Sequence, residues 1–212
     1  FGANILRVVD GGWVPLAIGA SVSLVIYIWV RGKALITDAE NADALPLGEF
    51  VAALAKRPPM RVDGTAVYLT ANPDNVPGTL LHNLKHNRIL HARNLVVTVR
   101  NSSVPHVSAD ERTSYQRMDD SFAQVTLRYG FMDTPDVPHD LANALPTGDA
   151  RLDPMQTSYF VGRNSVTAKA NQGMPFWQDI ILIFLQRNAY NPAEFFQIPS
   201  NRIVALGGQV VI

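Results

Sequence analysis

Residues 13 to 30 read Trp-Val-Pro-Leu-Ala-Ile-Gly-Ala-Ser-Val-Ser-Leu-Val-Ile-Tyr-Ile-Trp-Val, with no charged residue among them. Counted from 13 to 30 the run has 18 residues. As a helix rising about 1.5 Å per residue it reaches roughly 27 Å. A bilayer's hydrocarbon core is about 30 Å thick, and Ile5 to Val9 can lengthen the run. Trp13 marks one end and Tyr27 and Trp29 the other, where amphipathic rings favour the membrane–water boundary. Ser21 and Ser23 can return their hydroxyls to backbone carbonyls. Pro15 falls in the first turn, where its missing N–H costs least. The reading is a transmembrane helix.

Two other readings fit less well. A buried helix of a soluble core seldom stays apolar on every face for this long. A signal peptide begins basic and ends in a small-residue cleavage site, whereas here the basic pair Arg31 and Lys33 follows the run. Those charges place its C-terminal end in the cytoplasm, and residues 34 to 212 with it. The outer flank offers only Arg7, offset by Asp10.

The chain opens on Phe1, already inside an apolar segment, which predicts a C-terminal piece of a longer protein. Its 18 basic residues balance 18 acidic ones, so no large field marks it as a nucleic-acid binder. There is no cysteine, which excludes disulfides and thiolate metal sites. The predicted organisation is a last membrane helix with its flanks over 1–33, a membrane-exit linker and short amphipathic helix over 34–63, and an α/β domain over 64–212.

Within that domain Val67-Tyr68-Leu69 suits a strand covered on both faces. Asn72-Pro73-Asp74 signals a turn. A helix follows Pro77-Gly78-Thr79 to about His91, with Leu80, Leu81, Leu84 and Leu90 as its apolar positions. A second buried strand runs from Leu95 to Val99. Strand, helix and strand in this span predict a βαβ unit and parallel pairing. Thr113–Met118 and Phe122–Tyr129 predict an antiparallel hairpin about Asp119-Asp120-Ser121. A short helix ends near Leu145, and a strand over Thr157 to Val161 extends through Val166 to Ala168. Pro175 to Tyr190 forms an apolar helix too short to span, expected against the sheet, with docking on the membrane-facing side of the domain as the alternative. Terminal strand pieces at 203–206 and 209–212 are separated by Gly207-Gly208. The fold class is mixed α/β (α+β): a mixed sheet flanked by helices, preceded by one transmembrane helix.

The sharpest chemical candidates lie on the second helix. His82 and His86 share a face at metal-ligand spacing. A zinc hydrolase motif needs a glutamate after the first histidine, and Asn83 stands there, so no metal site is assigned. The Asn72 to Thr79 loop precedes a helix N-terminus, where anions bind. It has one glycine, Gly78, and neither GxGxxG nor the P-loop pattern. If a nucleotide or cyclic dinucleotide regulates the domain, the residues to watch are Asn72, Asp74, Lys85 and Arg88. No paired carboxylates, Gly-x-Ser-x-Gly elbow or Ser/His/Asp arrangement indicates an enzyme. Tyr159 and Arg163 read as packing and an ion pair.

The stretch from Gly64 to His91, with its His-Asn-Leu-Lys-His-Asn block at 82–87, resembles the cytoplasmic C-terminal region of the KUP/HAK/KT family of potassium uptake transporters. Gly11-Gly12-Trp13-Val14-Pro15-Leu16 looks like the start of that family's last transmembrane helix. Asp153 to Arg163 and Ile198 to Gly207 resemble further stretches. The chain departs at Ala92, Asn164, Ala205 and Val211, where the family often carries acids. The resemblance implies a multi-pass transporter of the bacterial inner membrane taking up potassium, by symport with protons. The ion path would lie in earlier helices, the domain would regulate or assemble, and a homodimer is an expected state. No cofactor is implied. The alternative is a membrane-anchored nucleotide-sensing or enzymatic α/β domain.

Overall fold

A computed structural model describes residues 12–42, 44–146, 152–167, 174–189 and 192–211. The chain divides into two compact units, residues 1–43 with 166–189 and 209–212, and residues 44–165 with 190–208.

The first unit holds α1 (Trp13–Ala42) and α6 (Phe176–Arg187). The helix predicted for 13–30 continues unbroken through the exit segment to Ala42. It is the one described helix long and apolar enough to cross a membrane. Its large side chains from Trp13 to Val30 are mostly exposed, with Ile28 and Ile36 buried. Ser21 Oγ donates to the Ala17 carbonyl at 2.8 Å, as expected of a serine in an apolar helix. Arg31 donates to the Tyr27 hydroxyl at 3.1 Å, where the apolar run ends. The apolar helix predicted against the sheet is seated differently. Leu182 and Met174 form one cluster with Ile28 and Ile36 of α1. Gly32 makes room for it: a Cβ there would stand 2.5 Å from Leu182 Cδ1.

The second unit carries α2 (Leu47–Lys56), β1 (Met60–Leu69), α3 (Gly78–Asn87), β2 (Ile89–Asn101), α4 (Ala109–Arg112), β3 (Thr113–Arg117), β4 (Phe122–Tyr129), α5 (Val137–Ala144) and α7 (Pro192–Phe195). Strands β5 (Thr157–Thr167) and β6 (Ile203–Val211) lie mostly within it. The sheet order is β3-β4-β2-β1-β5-β6. β1 pairs in parallel with β2 and β5, β2 in parallel with β4, and β3 in antiparallel with β4.

Both sheet faces are covered, as the Val67-Tyr68-Leu69 run requires. Ala66, Tyr68 and Val96 meet Leu47, Val51 and Leu80 from α2 and α3. Val67, Leu95, Val97 and Leu127 meet Val137 and Leu141 of α5 and Ala193 of α7. The predicted hairpin is present. Its turn is held by Asp119 Oδ1, which accepts from the N–H groups of Ser121 at 2.7 Å and Phe122 at 2.6 Å. Asp136 caps α5 by accepting from His139 N at 3.0 Å, with a proline in the first turn. Gly64 takes φ +105° beside the register shift in β1, and a Cβ there would stand 2.6 Å from the Gln156 carbonyl oxygen.

Two boundaries differ from the sequence reading. The second helix ends at Asn87, so Leu90 is a core residue of β2 and not a helix position. Arg88 adopts the left-handed conformation, φ 57°, and its N–H returns to the Leu84 carbonyl, which stops the helix. The terminal strand runs from Ile203 to Val211 without the predicted break at Gly207-Gly208. Ala168 and Tyr190 lie outside the described residues.

Asn83 ties α3 to the sheet. Its Nδ2 donates to the Tyr68 hydroxyl at 3.2 Å and the Ile89 carbonyl at 3.1 Å, and its Oδ1 accepts from Asn87 at 2.8 Å. Removing a buried amide strands its partners at about 1–3 kcal/mol, while exposed substitutions stay within about 0.5 kcal/mol. Asn83→Ala is therefore expected to destabilise the domain by about 1–3 kcal/mol. His82→Ala, at an exposed position, leaves the urea midpoint nearly unchanged.

Candidate functional site

The β1–α3 loop is the place where a parallel sheet presents its strand ends to a ligand. Here much of the loop's own hydrogen bonding is already used. Asn72 Oδ1 accepts from Asp74 N at 3.1 Å. The Asp74 carbonyl accepts from Leu47 N at 2.8 Å, and Val76 N donates to the Leu45 carbonyl at 2.9 Å. Gln124 Nε2 donates to the Pro73 carbonyl. The lead-in to α2 thus lies along the loop, and Pro46 bridges to Asn75. One buried group there lacks a partner among the described residues: Thr79 Oγ1, in the first turn of α3, 7 % exposed.

Asn72 and Asp74 stand at this end of α3. Lys85 and Arg88 are exposed at the other, and the ten steps from residue 78 to 88 span about 15 Å. The structure does not bring the four together. His82 and His86 are exposed and stack with ring centroids 5.9 Å apart. Among the described residues no three His, Cys, Asp or Glu side chains gather where they could share a metal ion. Tyr159 is buried in the core, and the Arg163 side chain lies outside what the structure describes.

A second polar cluster escaped the sequence reading. Asp133 Oδ2 accepts from Gly130 N at 2.8 Å and Val107 N at 3.1 Å, and Oδ1 meets His106 Nδ1 at 2.7 Å. Arg112 stands 3.8 Å from Asp133 and 3.9 Å from Asp140, with its guanidinium 5.8 Å from the centre of the Tyr129 ring. His106, the two N–H donors and Arg112 hold the Asp133 carboxyl down, at about 2. Burial pushes the Tyr129 hydroxyl up, reinforced by Asp140. The cluster joins the loop after β2 to the loop after β4. Its partners lie 26 and 27 residues apart in the chain, so no local motif announces it.

These features define a class first: a parallel-core α/β domain on a chain that also carries a span-length apolar helix. The comparisons narrow it. A family described as the K+ potassium transporter C-terminal domain matches residues 63–212. The chain is 50 % identical over 212 residues to "Probable potassium transport system protein Kup 1" of Rhizorhabdus wittichii, covering all of this chain and 33 % of that protein. It is 46 % identical over 210 residues to "Probable potassium transport system protein Kup" of Caulobacter vibrioides, covering 99 % of this chain and 31 % of that one. For the protein of the same name from Xanthomonas axonopodis pv. citri the identity is 44 % over 212 residues, with 33 % of that protein covered. The chain belongs to this family of potassium transporters. It spans about a third of the length of the curated relatives it matches. No solved structure matches it.

Asp133 supplies a pH test. Its folded value is depressed below the ordinary 3.8 to about 2. The stabilisation is therefore present above the ordinary value and lost as pH falls through about 2. Asp133→Asn is expected to melt lower than the parent at pH 7, with the difference between the two shrinking as both are acidified towards pH 2.

Proposed function

We propose that this chain is the C-terminal part of a potassium uptake transporter of the bacterial inner membrane, with α1 its last membrane crossing and residues 34–212 in the cytoplasm. The observation that carries the reading is the family match over residues 63–212, joined to a charge-free apolar run from Trp13 to Val30. Relatives named as potassium transport proteins align with the whole chain. Arg31 and Lys33 on the exit side give the orientation. The substrates are potassium and, by symport, the proton. Intramembrane ionisable groups mark ion paths, and Trp13–Val30 contains none. The ion-handling groups then belong to other helices of the parent, and this portion serves regulation or assembly, including homodimer formation. The domain acts as a positioned module, not as an enzyme.

A second reading, a nucleotide or cyclic dinucleotide regulator near Asn72, Asp74, Lys85 and Arg88, has one observation in its favour: Thr79 Oγ1 is buried without a partner beside the N-terminus of α3. With the four residues split between the two ends of α3, Asn72 and Asp74 are the pair that shares an end with Thr79.

Cells lacking their own potassium uptake provide the test. The parent chain is expected to restore growth at low potassium and to accumulate rubidium tracer, with uptake abolished by a protonophore. Residues 1–212 expressed alone are expected to move none. A parent that accumulates no rubidium overturns the transporter reading, and uptake indifferent to the protonophore removes the symport.

A further inference from the structure

Helix α6 has two faces, and among the described residues only one of them is buried. Leu182 is fully buried against Ile28 and Ile36 of α1, with Gln178 and Asp179 also buried. Phe176, Trp177, Ile180 and Phe184 are 65, 49, 52 and 64 % exposed. At about 100° per residue these four fall within an arc of about 100°, and Leu182 lies on the opposite side. The twelve residues of α6 reach roughly 18 Å, too short to cross a hydrocarbon core of about 30 Å.

The level at which α6 meets α1 identifies what covers that face. Its contacts, Ile28, Gly32 and Ile36, bracket the point where the apolar run gives way to Arg31 and Lys33. Towards the apolar side, Val25, Ile26 and Trp29 of α1 join Leu185 and Ala189 around a groove of about 330 Å³. The exposed surface of α6 is thus continuous with that of a helix whose own apolar residues are bare. Its aromatic content is that of residues favoured at the membrane–water boundary. Arg187 at its end has a stem long enough to bring its charge to the headgroups.

We propose that α6 is an interfacial helix. Phe176, Trp177, Ile180 and Phe184 insert into the headgroup–acyl boundary of the phospholipid bilayer, giving the family's C-terminal region a second membrane attachment beside α1. The insertion depth is that of surface-lying amphipathic helices, about 5–10 Å. An acyl chain fills the groove between α1 and α6. This rests on the reading that α1 spans the bilayer, and the test separates the two.

These 212 residues have no cysteine, and any cysteine in the rest of the parent is first replaced by serine, so that single introduced thiols report single positions. Nitroxide labels are placed at I180C and F184C on α6, at I18C on α1 and at H82C on α3, each in the full-length parent reconstituted in phosphatidylcholine–phosphatidylglycerol vesicles. At 180 and 184, collision with oxygen relative to a water-soluble nickel chelate is expected to exceed that at 82 by at least about threefold. A label at 18 that behaves like the one at 82 overturns the span itself. A lipid-exposed label at 18 with water-exposed labels on α6 overturns this proposal alone. Labels on α6 shielded from both quenchers also overturn it, because protein then covers the face. Should the cysteine variants misfold, brominated lipids read the native residue. Emission lost on replacing Trp177 with Phe must be quenched most by lipids brominated near the headgroup, and its insensitivity to them overturns the proposal.

Discussion

Much of the apolar surface of α1 is left exposed by the described residues. Ten large apolar side chains between Trp13 and Val30 stand exposed on it. Burying one such side chain is worth about 1.5–3 kcal/mol, so together they represent roughly 15–30 kcal/mol. A folded domain holds only about 5–15 kcal/mol in all. No rearrangement of the remaining described residues offers a comparable apolar surface, because the two sheet faces are already filled. On the proposed membrane reading, lipid and neighbouring helices relieve that cost. The positions where α1 is buried, Ile28 and Ile36, lie at the C-terminal end of the apolar run and beyond it. That leaves the stretch before them, Trp13 to Tyr27, about 22 Å as a helix, exposed.

The α/β unit meets a different constraint. Its parallel core pairs strands that cannot be joined by a tight turn, so α3 must cross between β1 and β2 and be held there. Apolar contact from Leu80 supplies most of the attraction but little direction. Direction comes from Asn83, whose amide reaches one strand through the Tyr68 hydroxyl and the start of the next through the Ile89 carbonyl. Tyr68 in turn stacks on Phe160 of β5 with centroids 4.7 Å apart. The most distinctive block of the sequence, His82 to Asn87, therefore owes three of its six residues, Asn83, Leu84 and Asn87, to architecture. Its two histidines point elsewhere, into solvent.

Legibility followed the range of the interaction. The buried run at Val67–Leu69 and the hairpin about Asp119-Asp120-Ser121 are local patterns, and each appears where the sequence pattern puts it. The end of α3 was misplaced because Leu90 fits a helical spacing and a strand core equally well. What decides it is the left-handed Arg88, a backbone choice with no glycine to advertise it. The seat of α6 was misread for a related reason. A helix apolar on most positions states that it needs partners without saying which. The Asp133 cluster has no local signature because its members come from two loops and two helices, and a lone aspartate after a strand has no periodicity.

Two carboxylates, the half-buried Asp133 and the buried Asp179, show how differently the units treat charge. Asp133 receives two backbone N–H groups and an imidazole, and its acidity increases. Asp179 of α6 is 1 % exposed, has no hydrogen-bond partner among the described residues, and burial pushes its carboxyl up. A buried ionised carboxylate without partners is costly, and the group lowers that cost by holding its proton. The seat of α6 on α1 therefore carries a polar penalty that Leu182 and Met174 must outweigh. A helix accepting that penalty on its inner face gains more if its outer face is also relieved of water. Phe176, Trp177, Ile180 and Phe184 supply that outer gain only in an apolar medium, and Leu185 of the same helix lines a groove with Val25, Ile26 and Trp29 at the end of the apolar run of α1.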